Sequence, residues 1–276
     1  MRFSNLGLRV LVAVFGIPFY VFVLYHGGLL FFFTNLLIVI LATYEFLSLG
    51  DNRPNVTWIV TLIISAYCFW MMYNGKTYEA GCTAIIPFIV ILFIHVASGK
   101  PAGALLHASR SAAAVLYIAW LFGHLFILRD ARGSLQYWST PGWQLALFPI
   151  AVTWITDTSA YVIGLTLGKT PFAPGISPKK TWEGAIGGFI GAVTVGIIAG
   201  KLGVVSVPVG LLIGVFAGIF GQLGDLGESL LKREFGQKDS SSIIPGHGGV
   251  LDRFDSLLLN VPGTVYILLL LVQRSF

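Results

Sequence analysis

Charged residues are concentrated in the stretch Ser229–Asp255, although only 11% of the chain is charged. Apolar segments lie on both sides of this stretch. Its cations and anions are Lys232, Arg233, Lys238, Arg253, Glu234, Asp239, Asp252 and Asp255. Carboxylates bind hard metal ions and cationic side chains neutralise phosphate oxygens, so this mixture favours phosphate chemistry. The alternative is a solvated loop beside the membrane.

One pair of carboxylates directly precedes this stretch, and a second pair lies at its end. If the preceding helix continues past the membrane, Asp225, Glu228 and Lys232 share one face at i, i+3 and i+7. Asp252 and Asp255, at i and i+3, are predicted to open the next helix. Between them, the segment Pro245–Gly249 (PGHGG) forms a turn whose backbone amides could hold an anion. Oxygen ligands, cations and bare amides together are what a Mg-nucleotide site requires.

Asp157 lies inside an apolar segment. An ionisable group there costs about 3 kcal/mol or more unless it faces a partner or a wet cavity. Thr153, Asp157 and Tyr161 recur at i, i+4 and i+8, on one helical face. Asp157 is therefore predicted to line a polar cavity, and a carboxylate capped near a helix end is the alternative.

Three lysines follow the Asp157 segment, among proline and glycine residues. Lys169 precedes Pro171, and Lys179 and Lys180 follow Pro178. Ammonium groups at a membrane surface can take phosphate oxygens as point charges. They can equally be ordinary anchors on the cytoplasmic side, accompanied by the interfacial residue Trp182.

The elements that must position these residues are membrane helices. A mean hydropathy of +0.84 with 56% hydrophobic residues exceeds what a water-soluble domain shows. Spanning the bilayer takes about 20 mainly apolar residues in a helix. The sequence predicts an all-α polytopic protein of about nine transmembrane helices, with a polar cavity open to the cytoplasmic face. The predicted spans are Leu6–Tyr25, Leu29–Leu49, Val56–Tyr73, Ala80–Ala97, Ala112–Leu128, Leu145–Leu167, Gly184–Leu202, Val207–Leu226 and Leu257–Val272.

The chain is predicted to divide into two regions. Residues 1–140 would hold five spans that serve as scaffold and dimer contacts, and residues 141–276 would hold the four catalytic spans. Glycines recur at four-residue spacing in the seventh and eighth spans, which is typical of close helix packing and leaves a ligand groove or dimer seam as alternatives. Loops on the face of the amino terminus carry most of the 17 Lys and Arg residues, which predicts a cytoplasmic amino terminus.

Several function classes are excluded. The net charge of +5 is small and dispersed, which argues against a nucleic-acid partner. Cys68 and Cys82 lack any metal or redox spacing. The chain contains no Walker-type loop, kinase motif set, H-E-x-x-H or nucleophile elbow.

A longer pattern in the polar stretch resembles a known family. It runs Ser229-x-Leu231-Lys232-Arg233, then Lys238-Asp239-x-Ser241, then Ile244-Pro245-x-His247-Gly248-Gly249-Val250-x-Asp252-Arg253-Phe254-Asp255. This looks like the complete signature of CDP-diacylglycerol synthases, also called phosphatidate cytidylyltransferases. The segment 177–184 and the Asp157 region also resemble that family, so the likeness covers about the last 120 residues.

The resemblance implies an integral membrane enzyme, a homodimer, that condenses CTP with phosphatidic acid to give CDP-diacylglycerol and pyrophosphate. It implies dependence on Mg²⁺ and leaves open whether a K⁺ lies beside it. It assigns metal binding to Asp225 and Asp252. Phosphatidic acid stays in the bilayer and CTP arrives from the cytosol, which places the site at the cytoplasmic boundary, as in a bacterial inner membrane.

The remaining residues receive roles as hypotheses. Asp255 or Asp239 would be a further ligand or an orienting group, and Asp157 would complete the cavity wall. Phosphate would be neutralised by Lys179, Lys180, Lys232, Arg233 and Lys238, with Arg253 also binding substrate. His247, Gly248 and Gly249 would line the turn around the triphosphate.

Two alternatives remain open at this stage. A CTP-dependent polyprenol or phytol kinase has a similar but shortened carboxyl-terminal pattern and would release CDP instead of pyrophosphate. A transporter for an anionic solute is favoured by Asp157 and the glycine-rich helices, and it would not incorporate CTP into lipid.

Overall fold

The computed structural model describes residues 2–50, 54–132, 135, 139–241 and 248–273. Apolar runs at helical spacing form most of these residues into helices. The helices are α1 (Arg2–His26), α2 (Gly28–Ser48), α3 (Val56–Tyr73), α4 (Thr77–Cys82), α5 (Ile85–Ser98), α6 (Ala104–Ala114), α7 (Leu121–Arg129), α8 (Gly142–Leu167), α9 (Trp182–Lys201), α10 (Val207–Glu234), α11 (Leu251–Phe254) and α12 (Leu257–Gln273). A π-helical segment, Val115–Trp120, joins α6 to α7.

The prediction of an all-α polytopic membrane protein is confirmed. Among the described residues, eight helical segments are long and apolar enough to cross a membrane. They correspond to the second through ninth predicted spans, and α1 corresponds to the first. The apolar part of α1 with described side chains is Val14–His26. The structure therefore agrees with about nine spans.

Three helices differ in detail from the predicted spans. The fourth span is interrupted after α4, because Thr83 and Ala84 form a turn before α5 begins at Ile85. The fifth begins earlier than expected, at Ala104, and passes through the π-helical segment. The last begins at Leu251, but α11 ends at Phe254 and α12 begins only at Leu257. Asp252 and Asp255 therefore do not share one continuous helix, contrary to the prediction.

The chain forms two compact units. The first unit comprises Met1–His124 and Asp239–Arg253, and the second unit comprises Leu125–Lys238 and Phe254–Phe276. The family signature in residues 229–255 is divided between the two units. Residues 229–238 and 254–255 belong to the second unit, and residues 239–253 belong to the first. The functional division at residue 140 stays a prediction.

In the first unit, an arginine fixes the carboxyl-terminal end of α2. Arg110 of α6 donates from Nη2 to the carbonyl oxygen of Phe46 at 3.0 Å and also to those of Leu47 and Leu49. The last carbonyls of a helix lack partners inside the helix, and a cation there also interacts favourably with the helix dipole. Arg110 therefore holds the end of α2 in place within this unit.

In the second unit, α8, α9 and α10 pack closely through small residues. A Cβ atom built on Gly210 of α10 would lie 2.2 Å from the carbonyl oxygen of Gly196 in α9. The two backbones touch where any larger residue would separate them, so the predicted helix packing is confirmed. Across the unit, Asn260 of α12 donates to the hydroxyl of Thr153 in α8 at 2.8 Å.

A two-stranded antiparallel hairpin stands between α8 and α9, which the sequence did not predict. Strand β1 (Pro171–Ala173) pairs with β2 (Ser177–Thr181). At its base, Glu183 accepts hydrogen bonds from the backbone N–H groups of Lys169 at 3.1 Å and Thr170 at 3.2 Å. The Thr181 hydroxyl caps α9 by accepting from the Gly184 N–H at 3.2 Å. The hairpin carries the lysines that the sequence predicted at the site.

Candidate active site

Asp252 organises the signature turn within the first unit. Its Oδ2 atom accepts hydrogen bonds from the backbone N–H groups of Gly249 at 2.8 Å and Ser240 at 3.0 Å. The Ser240 hydroxyl donates to the same oxygen at 2.9 Å. Three donors on one ionised oxygen fix the orientation of the carboxylate. The described N–H groups of Ser240 and Gly249 therefore bind the carboxylate of Asp252.

Gly248 and Gly249 are required by the backbone and by space. Gly248 has a φ of 80°, in the left-handed region that side chains rarely adopt. A Cβ on Gly249 would lie 1.9 Å from the Ser240 hydroxyl oxygen and 2.6 Å from Oε2 of Glu45. Both positions are thus explained by the packing of the turn, and their contact with a triphosphate stays a prediction.

Glu45 of α2 is a site residue that the sequence analysis missed. Its side chain is fully buried. It accepts hydrogen bonds from the backbone N–H groups of Val250 at 2.9 Å and Leu251 at 2.7 Å and from the hydroxyl of Ser241 at 2.5 Å, and its Oε2 atom lies 3.2 Å from the Ser240 hydroxyl oxygen. A signal existed, since Glu45 is an ionisable residue inside the predicted span Leu29–Leu49, as Asp157 is inside its own span.

In the second unit, the hairpin and α10 meet through an ion pair. The Lys180 Nζ atom lies 2.6 Å from Oδ2 of Asp225, and the two side chains are 28% and 33% exposed. Exposed pairs of this kind contribute little to stability, typically about 1 kcal/mol or less. Its significance is positional, because it brings together two of the residues predicted for the site. Lys179, the preceding residue, is exposed.

A group of carboxylates surrounds Asp255. The side chain of Asp255 is buried, and Asp225, Glu228 and Asp157 lie close enough for their charges to act on it. Glu228 is buried as well and pairs with Lys232, one turn further along α10, at 2.5 Å. Like charges repel strongly where water is scarce, and the two ammonium groups paired with this group, those of Lys180 and Lys232, are fewer than its four carboxylates. This arrangement favours the binding of positive charge.

The helix α10 continues beyond the predicted span, which ends at Leu226. The helix extends to Glu234, so Asp225, Glu228 and Lys232 do lie on one continuous helix. Within the described parts of the chain, no group of three or more His, Cys, Asp or Glu side chains is arranged to hold a metal ion.

Arg233 is engaged by the protein itself. It donates from Nε to the carbonyl oxygen of Ile176 at 3.1 Å and from Nη1 to that of Gln237 at 3.0 Å. The guanidinium thus ties the turn of the hairpin to the end of α10. Its predicted role in neutralising phosphate stays a prediction, beside this structural one.

The other predicted residues have less defined environments. Lys238, Asp239 and Arg253 are exposed, and His247 lies outside the described residues. Asp157 and Tyr161 are exposed on α8, whereas Thr153 on the same helix is buried against Asn260. The shared face predicted for these three residues therefore divides into a packed part and an open part.

A cavity of about 240 Å³ in the second unit is apolar. It lies between α9 and α10 beneath the hairpin, and Phe172, Trp182, Phe189 and Leu223 are among its walls. The rings of Phe172 and Trp182 meet edge to face at 4.4 Å. This is not the polar cavity expected from the sequence, which stays a prediction.

Comparison with known proteins places the chain among the nucleotidyltransferases. The model of the cytidylyltransferase family matches residues 7–271. The chain therefore belongs to the cytidylyltransferase family.

Curated relatives narrow the class. The phosphatidate cytidylyltransferase of Staphylococcus saprophyticus is 31% identical over 261 residues, which cover 92% of this chain and 96% of the relative. That of Brucella melitensis is 34% identical over 268 residues, covering 92% of this chain and 90% of the relative. That of Bacillus subtilis is 43% identical over 159 residues, covering 57% of this chain and 56% of the relative. The resemblance inferred from the signature is confirmed, and it extends to the amino-terminal spans.

Proposed function

We propose that this chain is a phosphatidate cytidylyltransferase, which condenses CTP with phosphatidic acid to give CDP-diacylglycerol and pyrophosphate. The observation that carries the proposal is the similarity to enzymes of that name over 92% of the chain. The signature in residues 229–255 supports it, because it supplies the charged groups that two phosphate-bearing substrates require.

In the proposed reaction, a phosphate oxygen of phosphatidic acid attacks the α-phosphorus of CTP. A new P–O bond forms, the bond to the bridging oxygen breaks, and pyrophosphate leaves with the electron pair. The second pKa of a phosphate monoester is about 6, so the nucleophile is ionised near neutral pH and needs no strong general base. The main task of the protein is to overcome repulsion between two anions and to position them in line.

Lysines would meet part of this task. Lys180 neutralises Asp225 and Lys232 neutralises Glu228 in the structure described. Each ammonium group would exchange its carboxylate for a phosphate oxygen when substrate binds. Lys179 and Lys238 are exposed and would bind phosphate without such an exchange. Phosphate contacts by Arg233 and Arg253, and those of the turn at His247, belong to the same proposal.

The proposal includes Mg²⁺, and the residues present fit it. Mg²⁺ commonly binds through one or two carboxylates together with substrate phosphates. A chain whose described residues form no ready-made group of three ligands is consistent with that mode. Asp225 and Asp252 are the proposed ligands, Asp239 or Asp255 is a further candidate, and a K⁺ beside the Mg²⁺ stays open. When bound, Mg²⁺ would neutralise negative charge on the phosphates.

The proposed setting is a bacterial cytoplasmic membrane. The eight candidate spans make the chain an integral membrane protein, and the relatives named above are bacterial. The positive charge of the loops supports a cytoplasmic amino terminus and a site on the same side. A homodimer is proposed from the family resemblance alone.

Product analysis tests this function. The purified protein is incubated with CTP, Mg²⁺ and phosphatidic acid in mixed micelles, and pyrophosphate and CDP are measured separately. We expect pyrophosphate and CDP-diacylglycerol in equal amounts and no CDP. Release of CDP with a phosphorylated lipid would instead identify a CTP-dependent lipid kinase, and the absence of both products would contradict the proposal.

A further inference from the structure

Glu45 is a buried carboxylate whose place inside a membrane helix calls for an explanation. It lies in α2, three residues before the end of that helix, and its side chain has no exposed surface. Burying a charged group costs several kcal/mol, and a well-packed apolar residue in its place is often at least as stable. If α2 served only as a scaffold, leucine in place of Glu45 would make the protein at least as stable.

The hydrogen bonds of Glu45 show what it holds. Its Oε1 accepts from the Val250 N–H at 2.9 Å and the Ser241 hydroxyl at 2.5 Å, and its Oε2 accepts from the Leu251 N–H at 2.7 Å. In the chain, Ser241 precedes the PGHGG segment by four positions, and Val250 and Leu251 directly follow its last residue, Gly249. One carboxylate thus binds residues on both sides of this segment, and these residues belong to the first unit.

Glu45 is also connected to Asp252 through one hydroxyl group. The Ser240 hydroxyl oxygen lies 3.2 Å from Oε2 of Glu45 and 2.9 Å from Oδ2 of Asp252. A serine hydroxyl carries a single proton, so it can donate to only one of these carboxylates at a time. Glu45 and Asp252 therefore share one bridging hydroxyl group.

The position of Glu45 is itself fixed. Arg110 binds the carbonyl oxygens that directly follow Glu45 in the chain, those of Phe46, Leu47 and Leu49. The end of α2 thus cannot shift without breaking these bonds. Groups that hold a reactive residue in orientation are most effective when they stand on such a rigid element.

We propose that Glu45 is a positioning residue for the active site, which holds Ser241 together with Val250 and Leu251 and orients Asp252 through Ser240. This inference rests on the proposed function for its catalytic consequence, but its structural content does not depend on that function. Outer groups that orient a metal ligand typically change metal affinity by about 10- to 100-fold when they are removed. Glu45 would act in that way towards Asp252.

The first test measures hydrogen exchange of the backbone amides of Val250 and Leu251 in the full-length protein in detergent. Glu45→Gln keeps the shape but places an NH₂ group against backbone donors. We expect these amides to exchange at least about tenfold faster, as the loss of a bond to a charged acceptor implies. The matched control is Glu79→Gln, because Glu79 is exposed on α4; its exchange at Val250 and Leu251 should equal that of the original protein.

A milder variant guards against a general loss of folding. Ser241→Ala removes one donor and leaves the carboxylate, so a smaller increase in exchange confined to the same amides is expected. Elution as a single species with an unchanged helical circular dichroism spectrum shows that each variant is folded. Unchanged exchange in folded Glu45→Gln would overturn the proposal, and so would an equal increase throughout the first unit.

The second test separates positioning from binding of the lipid. With CTP and phosphatidic acid, Glu45→Gln should raise the Mg²⁺ concentration for half-maximal rate about tenfold or more and lower kcat, with KM for phosphatidic acid unchanged. A change in the lipid KM alone would contradict the proposal. If exchange increases as expected but the original protein transfers no cytidylyl group, the proposed function fails and the positioning role stands.

Discussion

A methyl group added at Gly210 is expected to force α9 and α10 apart. The new Cβ would lie 2.2 Å from the carbonyl oxygen of Gly196. Likewise, alanine at Gly196 would place a Cβ 2.1 Å from the carbonyl oxygen of Gly210. An ordinary carbon–oxygen contact is about 3.3–3.6 Å, so the helices must separate by roughly 1 Å. Backbone oxygens cannot rotate away as a side chain can.

The cost follows from two opposing effects. Overpacking of this kind destabilises by about 1–3 kcal/mol, whereas alanine in place of glycine within a helix returns up to about 1 kcal/mol. The matched control is Gly227→Ala, on the same helix, where a Cβ meets no atom within 4 Å. Gly210→Ala should therefore be about 1–3 kcal/mol less stable than Gly227→Ala, because the helix-propensity gain cancels in the comparison.

Thermal and denaturant unfolding in one detergent measure this difference. Gly210→Ala should also lose activity at lower temperature, since α9 continues from the strand of Lys180 and α10 carries Asp225. Equal stability of the two variants would refute the close contact between the helices. A deficit in Gly227→Ala instead would show that the face of α10 has been assigned wrongly.

Two further predictions concern charge at the site. Asp225→Asn and Asp252→Asn should each lower cytidylyl transfer by about a hundredfold or more at millimolar Mg²⁺ while the protein stays in the membrane, because each removes a proposed carboxylate ligand of Mg²⁺ without a change of shape. Asp130→Asn, at an exposed position, should retain full activity, and near-normal turnover in either site variant would reject the metal assignment. Lys180→Gln should raise KM for CTP, whereas Lys201→Gln at the exposed end of α9 should not; equal KM values would exclude Lys180 from phosphate binding.

The sequence predicted the helices well because membrane spans can be recognised from the length and hydropathy of their apolar segments. It did not predict the hairpin at Pro171–Thr181, where β1 has three residues and β2 has five. Strands this short contain too few residues for an alternating pattern, and the prolines within them and the glycines beside them indicate a loop. The interruption after α4 was missed for a similar reason, since Thr83 and Ala84 are compatible with a continuous helix.

The residues of the candidate site could be predicted only in part from the sequence. The pair Lys180–Asp225 joins residues that the sequence had singled out separately, but their contact depends on the unpredicted hairpin. Glu45 lies about 200 positions from the signature turn and matches no motif, so only its charge within an apolar span could have revealed it. The sequence could not show that the Ser240 hydroxyl lies within hydrogen-bond distance of both Asp252 and Glu45, because these contacts join residues that are far apart in the chain.

The measurement that tests the central claim most directly follows the label of CTP into lipid. Purified protein is given phosphatidic acid, Mg²⁺ and CTP that carries ³²P at the α-phosphate or, in a parallel reaction, at the γ-phosphate. Cytidylyl transfer predicts that the α label enters the lipid and that the γ label is released as pyrophosphate. Entry of the γ label into lipid, or of neither label, would contradict the account.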